Sequence, residues 1–144
     1  MGKRPEGVSL EDAPAGSGFE RKRNGTFTLC ASMKCALRGI GLCFSDRNFR
    51  IELCFAACAV ALGVALGISS VEWLAIVLCI FAVLSCETVN TALETLVDLV
   101  SPSYDELARN VKDAAAGAVL VLSIGSLVVA AIVYLPRLVA LAGA

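Results

Sequence analysis

Long runs of apolar residues dominate the chain after residue 50, and each is long enough to cross a membrane as a helix. Residues 51–70 are mostly apolar, and about 20 such residues span roughly 30 Å of hydrocarbon. A second run covers 71–100 and stops where Ser101-Pro102-Ser103 blocks helix continuation. A third, 114–135, carries no charge. The pattern predicts transmembrane helices at about 49–69, 71–100 and 111–136, with a polar link from Tyr104 to Asp113.

The segment before these runs has a different pattern. Between residues 26 and 45 apolar side chains recur every three or four positions, and Lys34 and Arg38 lie on another face. Such a helix lies in the membrane interface, or it packs against other helices of the same protein; both can hold. Residues 1–24 are rich in Gly, Pro, Ser and charge, so we expect a disordered cytoplasmic tail before a membrane domain at 25–144.

Composition and charge support membrane insertion and orient the chain. Hydrophobic residues make up 58% of the sequence, above the share usual in soluble domains. Arg47 and Arg50 precede the first run, and Arg109 and Lys112 follow the second, whereas the turn at 69–72 has no basic residue. The positive-inside rule therefore places the N-terminus and the 101–113 link in the cytoplasm.

Cysteines and small residues carry less information. The seven cysteines form no C-x-x-C pair and the chain has no histidine, so we expect neither a zinc site nor structural disulfides. Small residues recur at four-residue spacing, at Ala59, Gly63 and Gly67 and again at Ala114 and Ala118. This spacing lets helices approach closely and favours an oligomer.

The second predicted span carries a stripe of polar residues. At about 100° per residue, the positions of Glu87, Asn90, Glu94 and Asp98 fall within a narrow arc of one helix face, and Thr91 joins them. Polar groups inside hydrocarbon are costly, so the stripe must face protein, water or a substrate. The alternative is a structural role for the stripe. Asn90 and Thr91 would then form hydrogen bonds between helices, and Glu94 and Asp98 would lie at the end of the helix that is in water.

The expected depth of each stripe residue in the membrane suggests a different chemical role for each. Glu87 lies 15 residues, roughly 22 Å of helix, from Glu72 at the other boundary, so it should be inside the hydrocarbon near its cytoplasmic edge. A carboxylate there can act as a general base on a hydroxyl at the membrane surface, and carboxylates nearer water suit Mg²⁺. Lys112 opens the third helix and can offset phosphate charge, or it is only a positive-inside anchor.

These features leave different classes of function open. The motifs of soluble P-loop and protein kinases are missing, so phosphoryl transfer here would need another scaffold. An ion- or proton-coupled transporter would use Glu87 as its alternating-access carboxylate, but it has no evident use for the further carboxylates and Lys112-Asp113. A non-catalytic assembly factor would use the stripe for helix pairing alone.

The chain resembles the small bacterial membrane kinases that include diacylglycerol kinase and undecaprenol kinase. The resemblance runs from about Phe27 to Leu138. Three motifs carry it: Arg47-Asn48-Phe49-Arg50, Glu87-x-x-Asn90-Thr91-Ala92-x-Glu94-x-x-x-Asp98, and Ala108-x-x-x-Lys112-Asp113-x-Ala115-Ala116-Gly117-Ala118-Val119.

The resemblance implies an all-α homotrimer in the bacterial inner membrane, with three transmembrane helices and a surface helix per chain. Such an enzyme uses MgATP to phosphorylate a lipid alcohol at the cytoplasmic interface, and no nucleic-acid partner is expected. It implies site residues by position: Glu87 as catalytic base, Asn90 as a positioning group, Asp46 and Glu94 as metal ligands, Lys112, Asp113, Ser103, Tyr104 and Asp105 as nucleotide contacts, and Arg50 and Glu52 near the lipid or nucleotide.

The sequence departs from the family pattern at two places. Asp46 stands where the resemblance leads us to expect Glu, and its side chain is one carbon shorter. Asp105 stands where we expect His, at the nucleotide site. The stretches Arg47-Asn48-Phe49-Arg50, Val71-Glu72-Trp73 and Tyr104-x-x-Leu107-Ala108 are more similar to the undecaprenol-preferring branch, so we expect undecaprenol as substrate, with diacylglycerol as the alternative.

Overall fold

The computed structural model describes residues 29–143, which form four helices and no strands. Helix α1 is Leu29–Cys43, α2 is Arg47–Leu66, α3 is Ser70–Val100 and α4 is Glu106–Ala142. Within this range α2, α3 and α4 are long and apolar enough to cross a membrane. The predicted all-α membrane fold with three spanning helices is confirmed. The expected tail at 1–24 and the start of the surface helix at 26–28 lie outside the described residues.

A tight corner joins α1 to α2 and brings Asp46 toward α3. The side chain of Asp46 accepts a hydrogen bond from the Asn48 amide at 2.9 Å and caps the start of α2. Phe44 and Phe49 pack edge to face across the corner, with ring centroids 5.4 Å apart. The cap and the aromatic pair together fix the direction in which α2 leaves the corner.

Helix α3 begins in a capping box at the opposite end of the bundle. Ser69 accepts from the Glu72 amide at 3.4 Å, and the Glu72 carboxylate accepts from the Ser69 amide at 2.8 Å. The turn before it is closed by Gly67, whose φ of 59° is left-handed and suits glycine. The helix ends at Val100, as the Ser-Pro-Ser sequence predicts.

Helix α4 is longer than the predicted third span. It begins at Glu106 rather than at about 111, because Asp105 caps it by accepting from the amides of Leu107 and Ala108 at 2.8 and 3.0 Å. Most of the expected polar link is therefore helical. The helix also continues through Pro136 to Ala142.

The three long helices pack as a thin bundle in which α3 contacts α4 most extensively and α2 covers both. Buried apolar side chains cluster near the Gly67 turn, at Ile68, Ile76, Val133 and Tyr134. Tyr134 donates to the Ala59 carbonyl at 2.8 Å, and Arg137 makes two 2.7 Å hydrogen bonds to Glu72. This apolar core lies at the end of the bundle away from the polar stripe.

Candidate active site

Burial falls steadily along the polar stripe of α3. Glu87 is 1% exposed and Asn90 is 3% exposed, and these are the buried polar side chains of the described chain. Glu94, one turn farther on, is partly exposed. Asp98 is exposed, at 68% of its side chain. The gradient follows the order of depth that the sequence predicts for these four positions.

The buried end of the stripe presents two free hydrogen-bond acceptors. Asn90 donates from its Nδ2 to Glu94 Oε1 at 3.1 Å, which orients the amide because a carboxylate only accepts. Glu87 Oε1 and Asn90 Oδ1 are buried and have no partner among residues 29–143. A buried acceptor without a donor is costly, so these oxygens suit a donor that comes from outside the chain.

Asp46 reaches the stripe from the α1–α2 corner. Its Oδ2 accepts from the Thr91 hydroxyl at 3.2 Å, across 45 residues of sequence. Asp46 and Glu94 lie close enough to Glu87 for the like charges of the carboxylates to repel one another. The structure therefore brings Asp46, Glu87, Asn90 and Glu94 together at one level of the bundle.

Glu52 is a fourth carboxylate of this cluster, on α2. Its Oε2 is buried without a partner in the described part of the chain. The charges that act on it are Glu87 and Asp46. Glu52 lies at one end of a cleft of about 480 Å³ between α2, α3 and α4. Ser123 and Ser126 are polar groups on the α4 wall of this cleft, which is otherwise mainly apolar.

Within residues 29–143, no cationic side chain forms a salt bridge to the four carboxylates of the cluster, Asp46, Glu52, Glu87 and Glu94. The salt bridges found within residues 29–143 involve Asp98, Asp113 and Glu72 instead. Like charges held together in a partly desolvated place need protons or a cation.

The donor set fits Mg²⁺ that arrives with a nucleotide. Mg²⁺ prefers oxygen ligands and takes one or two carboxylates together with phosphate oxygens and water. The described residues hold no group of three protein ligands close enough to retain a metal by themselves. Two carboxylates, Asp46 and Glu94, beside orphaned buried oxygens match the smaller requirement.

Lys112 contacts Asp98, the residue at the exposed end of the stripe. Its ammonium donates to Asp98 at 2.5 Å, so the start of α4 is tied to the end of α3. Asp113 forms a 3.5 Å ion pair with Arg109, with both side chains about two thirds exposed. The first pair places Lys112 at the exposed end of the stripe, whereas the second joins two residues of α4.

The remaining predicted site residues lie apart from the carboxylate cluster. Ser103 and Tyr104 are exposed in the link, and the Asp105 carboxylate is occupied in capping α4. Arg50 lines an open groove on the outer face of α2 with Arg47, whereas Glu52 faces the cleft. Residues two positions apart in a helix are about 200° apart around its axis, so Arg50 and Glu52 point in different directions.

The sequence does not predict two contacts of this site. It places Asp98 only at the end of the helix that lies in water, and the pairing of Asp98 with Lys112 depends on how α4 returns beside α3. The hydrogen bond between Thr91 and Asp46 joins residues of different helices. The sequence indicates only that Thr91 lies on the same helix face as the stripe. It does not indicate which residue the Thr91 hydroxyl contacts.

Comparison with known proteins identifies the family. A family model described as prokaryotic diacylglycerol kinase matches residues 34–134, well over half of the chain. The chain belongs to this family. It is therefore a membrane lipid kinase, and not the transporter or assembly factor that the sequence alone left open.

Relatives in the family carry two different substrate names. Undecaprenol kinase of Bacillus subtilis is 41% identical over 95 residues, which cover 65% of this chain and 76% of the relative. Diacylglycerol kinase of Synechocystis is 36% identical over 78% of this chain and 66% of its own length. Diacylglycerol kinase of a Sinorhizobium species is 31% identical over 81% of this chain and 85% of its own length.

Proposed function

We propose that this lipid kinase transfers the γ-phosphoryl group of ATP to the hydroxyl of a membrane lipid at the cytoplasmic interface, with Glu87 as general base. The observation that carries the proposal is the Glu87 carboxylate, 1% exposed and with Oε1 unpartnered in the described chain. A buried carboxylate with a free oxygen can receive the proton of a hydroxyl brought to it.

The chemical step requires positioning and charge compensation. The lipid hydroxyl donates its hydrogen bond to Glu87, while Asn90 Nδ2, held by Glu94 through one hydrogen, donates its second hydrogen to the hydroxyl oxygen. The hydroxyl oxygen forms a bond to the γ-phosphorus, the bond from phosphorus to the β–γ bridging oxygen breaks, and ADP leaves. The hydroxyl proton passes to Glu87, which later releases it to water. Positioning and electrostatics account for most of the catalysis of phosphoryl transfer.

Asp46 and Glu94 are proposed to hold Mg²⁺. When bound, the ion neutralises phosphate charge and relieves the repulsion among the carboxylates. The proposal is supported by the hydrogen bonds of Asp46 to Thr91 and of Glu94 to Asn90, because both donors belong to the turn of α3 that follows Glu87.

Lys112 and Asp113 are proposed to contact the nucleotide at the water-facing edge. Lys112 would exchange its Asp98 partner for phosphate oxygens, a charge-assisted contact of the same kind. Ser103 and Tyr104 in the exposed link can reach the nucleobase or ribose. Asp105 would contribute mainly through its cap, which fixes where α4 begins.

The lipid chain is proposed to lie in the cleft between α2, α3 and α4. The cleft is mainly apolar and extends from Glu52 toward the opposite membrane face. A lipid lying there would place its polar end among the carboxylates. Glu52 would then contact the lipid head, while Arg50, on the outer face of α2, would meet anionic groups at the membrane surface.

Undecaprenol is our proposed substrate, and diacylglycerol is the second candidate. The undecaprenol kinase relative shares 41% identity, against 36% and 31% for two diacylglycerol kinases. The family description and those two names favour diacylglycerol. Both lipids present one primary hydroxyl at a similar depth, so the site chemistry described above serves either.

We also propose a homotrimer in the inner membrane with the N-terminus in the cytoplasm. Support for an oligomer comes from the thin bundle: between 11% and 17% of the most apolar stretch of each spanning helix is buried within the chain. In this arrangement residues 25–144 are the kinase domain, and α1 lies on the cytoplasmic membrane surface.

Purified protein in detergent, supplied with labelled ATP, Mg²⁺ and either undecaprenol or dioleoylglycerol, tests the proposal. We expect label in the lipid fraction, faster with undecaprenol. No transfer to either lipid would refute the proposed function. A faster rate with dioleoylglycerol would overturn only the substrate assignment.

A further inference from the structure

The Asp46 carboxylate is held by two hydrogen bonds from different helices. Oδ1 accepts from the Asn48 amide at 2.9 Å at the start of α2. Oδ2 accepts from the Thr91 hydroxyl at 3.2 Å on α3. Because the two oxygens have separate donors, the orientation of the carboxylate is fixed relative to both helices.

Thr91 differs from the other threonines of α3. Thr88, Thr91 and Thr95 each donate to the carbonyl four residues earlier, at 2.8, 3.0 and 2.8 Å, the usual local bond of threonine in a helix. Thr91 is the member of the three whose hydroxyl also reaches a carboxylate of another helix. Its single proton is shared between the two acceptors, and the charged acceptor is the stronger.

We propose that Thr91 is a positioning residue that holds the Asp46 carboxylate beside Glu94 and so sets the affinity of the site for a divalent cation. The inference rests on the proposed function. Asp46 has a shorter side chain than the Glu expected from the resemblance, so it reaches less far from the corner. Hydrogen bonding to Thr91 compensates by drawing the corner and its carboxylate onto the stripe.

The contact has a local energetic consequence. Removing the hydroxyl leaves Asp46 held by its own helix cap alone, free to rotate away from Glu94. Two carboxylates that must be ordered on binding attract a cation more weakly than two already ordered. Losing one charge-assisted hydrogen bond predicts a rise of about tenfold in the Mg²⁺ concentration for half-maximal activity.

Thr91→Val tests the inference, because valine keeps the shape and branching of threonine and removes the hydroxyl. Thr95→Val is the matched control: it makes the same change on the same helix, at an exposed residue whose hydroxyl, among residues 29–143, donates to the Thr91 carbonyl alone. Mg²⁺ titrations at saturating ATP and lipid should show the shift in Thr91→Val and not in Thr95→Val. Thr91→Ser, which keeps the hydroxyl, should have the Mg²⁺ requirement of the wild type.

A second readout does not depend on turnover. Mn²⁺ binding to the purified protein in the presence of a non-hydrolysable ATP analogue, followed by electron paramagnetic resonance, should weaken in Thr91→Val and not in Thr95→Val. If the wild type phosphorylates no lipid, the proposed function fails while the Mn²⁺ comparison still tests Thr91. Equal Mn²⁺ affinity in the two valine variants would overturn the inference.

A double-mutant cycle with Asp46→Glu tests the compensation directly. The longer side chain should reach Glu94 without help, so Thr91→Val should shift the Mg²⁺ requirement much less in the Asp46→Glu background. An equal shift in both backgrounds would show that Thr91 acts independently of Asp46. A fall in kcat without any change in Mg²⁺ requirement would show a merely structural role.

Discussion

At the scale of single residues, burial divides side chains that have the same chemistry. Glu87, Glu94 and Asp98 lie on one helix face but in different surroundings. Glu87 is buried without a full set of partners among residues 29–143, Glu94 accepts a hydrogen bond from Asn90, and Asp98 is exposed and paired with Lys112. The first environment suits the proton transfer proposed for Glu87 and the second the cation binding proposed for Glu94. In the third, Asp98 holds Lys112, the cation that we propose for contact with phosphate.

We predict that Glu87→Gln lowers turnover by about 10²- to 10⁴-fold, since glutamine keeps the shape but cannot accept the proton. The measurement is label transfer to lipid under saturating ATP and Mg²⁺. Glu106→Gln, an exposed carboxylate outside the cluster, should keep the wild-type rate. Near-normal turnover by Glu87→Gln would show that another group serves as base.

For Glu94→Ala we expect a higher Mg²⁺ requirement, because the variant removes a proposed metal ligand and also leaves the Asn90 amide unheld. A Mg²⁺ titration of lipid phosphorylation measures the change. The Glu106→Gln variant again serves as reference. Unchanged metal dependence would remove Glu94 from the metal site.

At the scale of helices, the end of the bundle away from the cluster is built for stability. Glu72 caps α3 and binds Arg137 of α4 through both carboxylate oxygens, and Tyr134 joins α4 to α2. The arginine also donates to the Val133 carbonyl at 2.8 Å, beside Pro136. These contacts join the three long helices at that end of the bundle.

Arg137→Ala should lower the unfolding temperature in detergent by a few degrees and leave the catalytic constants of the folded enzyme unchanged. It breaks a two-point contact between α3 and α4 that lies far from the cluster. Differential scanning fluorimetry reports the first effect, and kinetics at low temperature the second. Arg109→Ala removes a single, largely exposed ion pair and should not shift the unfolding temperature. An equal shift in both variants would refute this role of Arg137.

Gly63→Ala should also destabilise the bundle. A Cβ at Gly63 would lie 3.0 Å from the Trp73 ring and 3.1 Å from Ile68, closer than side chains normally pack. Relieving such a clash typically costs about 1–3 kcal/mol. Gly125→Ala is the control, since a Cβ there meets nothing within 4 Å in the chain. Thermal unfolding compares the two, and equal midpoints would contradict the close approach of α2 to the Trp73 ring.

At the scale of the whole molecule, residues 29–143 join an apolar core at one end to a carboxylate cluster without a salt bridge in this range at the other. A single chain buries little of its spanning helices, so assembly with further copies would remove more of their surface from lipid. We expect the purified protein to have the mass of three chains by native mass spectrometry in detergent. A monomeric mass accompanied by full activity would refute the proposed homotrimer.

The sequence by itself determined the helices and the face of the stripe. Apolar runs of membrane-spanning length are local signals, and a period of 3.6 residues places Glu87, Asn90, Glu94 and Asp98 on one side whatever the helix packs against. The family motifs were equally visible. The order of depth also follows from the distance along α3, because depth in a membrane is a one-dimensional property of a spanning helix.

Only the tertiary structure decided which partners those residues meet. Asp46 contacts Thr91, Lys112 contacts Asp98 and Arg137 contacts Glu72 because the turns between helices set the register of one helix against the next. Register depends on packing between residues far apart in sequence, and no local pattern encodes it. The extra turns of α4 arise similarly from the Asp105 cap, a hydrogen bond whose geometry the sequence suggests but does not fix.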